Sequence, residues 1–244
     1  MARFRAFGIH LLISATIVVV VLAVMRTLWY PGSLYQAAGG SRLLLILAAV
    51  DVTIGPFITL IIFKPGKPGL KFDLTVIALL QIAALFYGMH AVFLARPVFI
   101  VFTIDRFDVV TARDIDPADL AVVPRTRFAR LPLGRPQYIA SVPPADPNEQ
   151  LKIMSTALAG KDLQMYPQFY VPYEEQATNA LAKAQSVRVL GERDSATLAA
   201  ALSKARREED SVVYLPLRAR QRDAAVLLDK ATGQPVRIVA IDPW

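Results

Sequence analysis

The residues of this chain best placed to do chemistry are few, and the first of them is an acid surrounded by hydrocarbon. Asp51 is the one charged side chain in LLLILAAVDVTIGPFITLIIF, residues 43–63. An aspartate well inside an apolar helix costs at least about 2.5–3.5 kcal/mol on insertion scales. Thr53, Gly55 and Pro56 follow within five residues. Small and polar residues let helices approach and bond to each other in lipid, so these four form a candidate intramembrane contact. The acid has two readings: a contact inside the bundle or with another membrane helix, or a structural lock holding the chain's own helices together. A single acid makes no proton relay.

Other candidates are weaker. Arg125, Arg127, Arg130 and Arg135 form the densest basic cluster, suited to anionic headgroups, to an acidic partner, or simply to water. MYPQFYVPY, residues 165–173, is an aromatic stretch that serves either as a contact patch or as a clamp on its own core. The chain has no cysteine, no HExxH, no GxSxG and no Gly-rich phosphate loop, which removes thiol chemistry, cysteine-based zinc sites and the common hydrolase and nucleotide motifs. No catalytic, cofactor-binding or metal-binding residue is therefore expected. Net charge is +7 over 244 residues. Residues 1–95 carry seven basic and two acidic side chains, and residues 96–244 carry twenty and eighteen. The excess thus flanks the apolar runs rather than forming a patch for phosphates, and nucleic acid is not an expected partner.

The elements that must position Asp51 are helices. Apolar runs, with Asp51 their one charged residue, occupy residues 6–25, 43–63 and 74–95, each about as long as the ~20 residues that cross a ~30 Å hydrocarbon core. Arg3 and Arg5 precede the first run, which is too long for a signal peptide and has no small-residue cleavage site, so it reads as an uncleaved anchor. Lys64, Lys67 and Lys71 stand between the second and third runs, whereas residues 30–42 hold one basic residue. By the positive-inside rule the N-terminus and the lysine loop are cytoplasmic, and everything after Arg96 is periplasmic. Asp51 then lies ~12 Å from the outer edge. Gln81 and Tyr87 of the third run bracket its level as hydrogen-bond partners. Thr53 or Thr59 is expected to satisfy the carbonyl that Pro56 leaves without a donor. His10 and His90 fall near opposite faces of the membrane and cannot share a metal.

The division expected is a three-helix transmembrane domain, residues 1–95, and a periplasmic α+β domain, residues 96–244. In the second, strands are predicted over 98–102, 107–112, 137–142, 211–219, 224–229 and 235–241, in an antiparallel sheet with KATGQ as a hairpin turn. Helices are predicted from the caps Asp116, Asp146 and Asp194, and over 174–185.

Five ordered segments together resemble the type IV pilin accessory proteins of the TfpX/TfpZ kind: FGIHLLIS, WYPGSLYQAAGG, VDVTIGPFITLIIFKPGKPGLKFDL, LLQIAALFYG and ARPVFIVFTIDRFDVV. They cover residues 7–112 well and the remainder more loosely. The resemblance implies an inner-membrane protein tied to a type IV pilin and to pilus assembly or dynamics. It supplies no catalytic residue. The reading is a non-enzymatic accessory factor whose partners are a cognate pilin, other pilus-assembly proteins and the bilayer, with no cofactor. The alternative is a membrane-bound transferase modifying pilin or lipid through Asp51 or the Asp105–Arg106 neighbourhood.

Overall fold

A computed structural model describes residues 1–123 and 128–244; Arg125 and Arg127 of the basic cluster lie outside the described residues. The chain divides into a helical unit, Met1–Thr27 with Gly40–Ala95, and a sheet unit, Leu28–Gly39 with Arg96–Trp244.

The helical unit contains three helices long and apolar enough to cross a membrane: Ala2–Trp29, Gly40–Ile62 and Leu70–Ala95. They are the first, second and third spans below. Their large apolar side chains mostly face outward, as with Leu12, Leu45 and Leu79, because in lipid nothing drives such residues inward. The first and third spans both pack on the second and make few contacts with each other. The second span is not uniformly α-helical. Ala49–Ile54 is π-helical, and Gly55–Ile62 resumes the α form with Pro56 in its first turn. A proline ring collides with the carbonyl one turn earlier and offers it no N–H. The widened backbone just before Pro56 absorbs that misfit, and π segments of this kind occur frequently at functional sites.

The sheet unit is built on β1 (Pro97–Phe102), β2 (Phe107–Thr111), β3 (Gln137–Ser141), β4 (Tyr170–Pro172), β5 (Gln185–Ser186), β6 (Val212–Arg218), β7 (Ala224–Asp229) and β8 (Pro235–Val239). Among the described residues they form one sheet in the order β4-β3-β1-β2-β6-β7-β8, with β5 paired to β6. The expectation of an antiparallel sheet needs correction. β1 pairs with β3, and β2 with β6, in parallel, so the sheet is mixed. β1 is buried at every position, as a central strand covered on both faces must be. Two apolar clusters hold the unit. One gathers Phe99, Val110, Ile139 and Tyr170; the other gathers Leu190, Leu198, Tyr214 and Leu227.

Local signals account for most elements. Asp116, Asp146 and Asp194 each accept a backbone N–H at the start of Pro117–Val122, Pro147–Leu158 and Ser195–Ala205, the role of an N-cap carboxylate. The β7–β8 turn contains Gly233 at φ +72°. The helix predicted over 174–185 is a 3-10 turn, Tyr173–Gln176, followed by Ala177–Lys183, and Arg188–Arg193 is a further helix that lacked a cap signal.

One segment departs from the division at residue 95. Leu28–Gly39 packs within the sheet unit. Tyr30 and Leu34 are fully buried there. Trp29 Nε1 donates to the carbonyl of Leu133 at 2.9 Å, and the N–H groups of Gln221 and Arg222 donate to Ala37 O at 3.0 and 3.2 Å. Arg96 is buried beside Tyr30, whose hydroxyl pKa burial raises while the guanidinium pulls it back down.

Candidate functional site

The helical unit buries three polar side chains. Ser14, Asp51 and Thr59 are all at or below 6 % exposure, an inversion relative to the leucines around them. They line the gap that the first and third spans leave over the second. Two adjoining cavities occupy it. One of about 250 Å³ is lined by residues including His10, Ser14, Asp51 and Gln81. The other, about 340 Å³, shares His10, Ile13, Ala78 and Gln81 with it and reaches Thr59 and Phe63. Asp51 also borders a cavity of about 310 Å³ on the Tyr87 side.

The predicted contact residues divide by face. Asp51, Gly55 and Pro56 are buried, and Thr53 is exposed. Gln81 is half-buried with its amide laid against Gly55, so a Cβ there would fall 1.7 Å from Gln81 Nε2. Gly55 is thus the notch that admits Gln81, and Gly88 similarly admits Leu47. Tyr87 is 77 % exposed at the rim of the cavity it shares with Asp51. Neither Gln81 nor Tyr87 donates to Asp51: among the described residues no hydrogen bond or ion pair reaches its carboxyl. Glycine and the amide meet first, and Tyr87 stays exposed at the cavity rim. Thr59 does not satisfy the carbonyl freed by Pro56 either. Its Oγ1 lies 2.6 Å from His10 Nδ1, and the π-helical backbone answers the proline instead.

Two residues escaped the reading of the sequence as contributors here. His10 and Ser14 stand four apart in an otherwise apolar helix, which puts them on one face. That spacing was the available signal.

The sheet unit holds one concentrated charge network. Asp108 is buried on β2 and is reached by Arg218 Nε from β6 at 2.6 Å and by Arg106 Nε at 3.5 Å. Arg218 also lies 3.7 Å from Asp162. Burial raises the Asp108 pKa, and the two arginines draw it back down. This arrangement ties β2 to β6 where they pair for only two residues. Asp105, the other member of that neighbourhood, is exposed and bonded to Arg106. The aromatic stretch turns inward: Tyr166, Tyr170 and Tyr173 are buried. Tyr173 donates to Gly233 O at 2.6 Å and Tyr170 to Gln164 O. These tyrosines clamp their own core.

Comparison with known proteins returns a consistent set. The chain is 30% identical to the fimbrial assembly protein of serogroup I of Dichelobacter nodosus over 231 residues, covering 91% of this chain and 89% of that protein. It is 29% identical to the serogroup E1 protein over the same coverage. With the protein of serogroups C1 and C2 it shares 34% over 111 residues, 44% of this chain and 84% of that one. No family model matches the chain, and no solved structure matches it.

Proposed function

The chain belongs to the fimbrial assembly proteins, a type IV pilus accessory family, and on that premise we propose that it is a non-enzymatic accessory factor for a cognate type IV pilin. The observation that carries this reading is the similarity to fimbrial assembly proteins across nine-tenths of the chain, on a molecule with three helices of membrane length. The protein resides in the bacterial inner membrane, its N-terminus and lysine loop in the cytoplasm and its sheet unit in the periplasm. The distribution of lysine and arginine supports that orientation. Its partners are the pilin, other pilus-assembly proteins and the bilayer.

Within the membrane the contact falls on Asp51 and Gln81, which line the gap between the first and third spans; of the other inward-facing members of the predicted set, Gly55 holds the Gln81 amide and Pro56 is buried. Thr53 and Tyr87 are exposed. The sheet unit meets the part of the pilin outside the membrane. The charge network around Asp108 is built as a strand tie, which favours an accessory role over a transferase.

The test is co-purification. Affinity capture of the tagged full chain from cells in mild detergent should recover the pilin, and the pilin should have the same mass in cells with and without the protein. A pilin absent from the captured fraction, or a mass change that depends on this protein, would replace the accessory reading.

A further inference from the structure

The groove between the first and third spans is open along its length and ends on a carboxyl with no partner. From this we infer that the groove seats a single transmembrane helix of another polypeptide, one that brings a hydrogen-bond donor to mid-depth against Asp51. The inference rests on the accessory reading for the identity of that polypeptide, and on the helical unit alone for the seat.

Three observations specify the occupant. First, Asp51 is 94 % buried, borders the cavity formed by His10, Ser14 and Gln81, and receives no hydrogen bond from the described residues. A carboxyl in hydrocarbon without a partner is costly, and the groove is the direction from which a partner can come. Second, the walls are long enough to face about three turns of a helix. Groove residues run from Ala6 to Ile17 on the first span and from Leu74 to Leu85 on the third, about 16 Å on each at roughly 1.5 Å per residue. Third, small residues interrupt a lining that is otherwise mostly isoleucine, leucine and phenylalanine. Ser14 and Ala78 stand where a neighbouring backbone would approach, the composition that permits close helix contact in lipid. The gap exists because the first and third spans both rest on the second and hardly touch each other.

Competing occupants fit less well. An acyl chain fills apolar space and donates no hydrogen bond. A second copy of this chain seating its second span would bring Asp51 toward another acid.

The experiment places a photo-crosslinking amino acid in the full-length protein in living cells. One position is Ala78, on the groove; the control is Phe86, 72 % exposed. Adducts are identified by peptide mass spectrometry and normalised to protein abundance. The Ala78 probe should yield one polypeptide, with the crosslinked peptide mapping to a transmembrane helix that carries a polar side chain. That yield should stay within about twofold for Asp51→Asn, which keeps hydrogen-bonding capacity, and fall at least fivefold for Asp51→Leu. Ser14→Leu adds bulk on the first-span wall of the same cavity and leaves the carboxyl in the chain, and should reduce the yield as strongly. It preserves the test if Asp51→Leu accumulates poorly. Adducts only with lipid or with a second copy of the chain, or a helix adduct indifferent to both leucine variants, would overturn the inference. A groove adduct with a membrane helix that is not the pilin's would uphold the seat and refute the partner. A pilin that co-purifies yet never reacts at Ala78 would do the reverse.

Discussion

At the scale of single residues, two glycines carry specific geometric duties. Gly233 sits at φ +72°, and a Cβ there would approach Ala177 O to 2.7 Å, a backbone atom that cannot swing aside. Left-handed backbone alone costs an L-residue about 1–2 kcal/mol. Gly233→Ala should therefore destabilise the sheet unit by about 2 kcal/mol, seen as a lower unfolding temperature of the full chain in detergent, and should disturb the bond from Tyr173 to Gly233 O. Gly55 has a different duty, since it leaves room for the Gln81 amide. Gly55→Leu should push the second and third spans apart and lower thermal stability. Adding Gln81→Ala should restore part of the loss, because the clashing group is a side-chain end. A double variant no better than the single one would mean that something other than Gln81 occupies the notch.

At the scale of elements, the aromatic stretch 165–173 is core rather than contact surface. Tyr173 is 1 % exposed and its ring stands against Phe102 and Phe107. Tyr173→Ala removes a buried aromatic, a change typically worth about 3–5 kcal/mol. It should reduce protein abundance in cells, measured by immunoblot, in proportion to any loss of surface pili. A stable variant without pili would return this stretch to the contact surface. The helix Ser195–Ala205 offers a pH test. Asp194 accepts from Thr197 N and from Thr197 Oγ1, and these bonds hold its carboxyl below the ordinary carboxylate range. A lowered pKa contributes stability that is complete above the unfolded carboxylate pKa and is lost as pH falls through the folded one. Asp194→Ala should therefore weaken the protein at neutral pH and make little difference once acid has protonated the cap. Circular dichroism of both proteins along an acid titration measures this.

At the scale of the whole molecule, orientation is the property on which every partner argument depends. Alkaline phosphatase fused after Arg96 should be active, and the same enzyme fused after Gly66 should be inactive, because the lysine loop is expected inside and the sheet unit outside. The reverse pattern would place the sheet unit in the cytoplasm and remove any contact with a periplasmic pilin head. The Leu28–Gly39 segment bears on this too. It joins two spans yet packs in the sheet unit through Trp29, Tyr30 and Leu34, so a fusion inside it would disrupt folding and is a poor reporter.

What the sequence determined by itself was whatever depends on neighbours along the chain. The three membrane-length helices follow from runs of apolar residues, since the cost of placing a residue in hydrocarbon accumulates locally. The caps at Asp116, Asp146 and Asp194 and the β7–β8 hairpin follow from bonds closed within a few residues. Family membership was also legible, in five ordered segments. Tertiary structure alone decided the rest. The parallel pairs β1–β3 and β2–β6 join strands far apart in sequence, and an apolar strand carries no mark of its neighbour's direction. The burial of Tyr166, Tyr170 and Tyr173 depends on which surfaces the sheet offers them. Which way Asp51 faces depends on the phase of a helix passing through a π segment and a proline, where the 3.6-residue period no longer counts reliably. The groove, with His10 and Ser14 on its wall and the carboxyl unpartnered at its floor, exists only because the first and third spans fold onto the second and leave a gap between them.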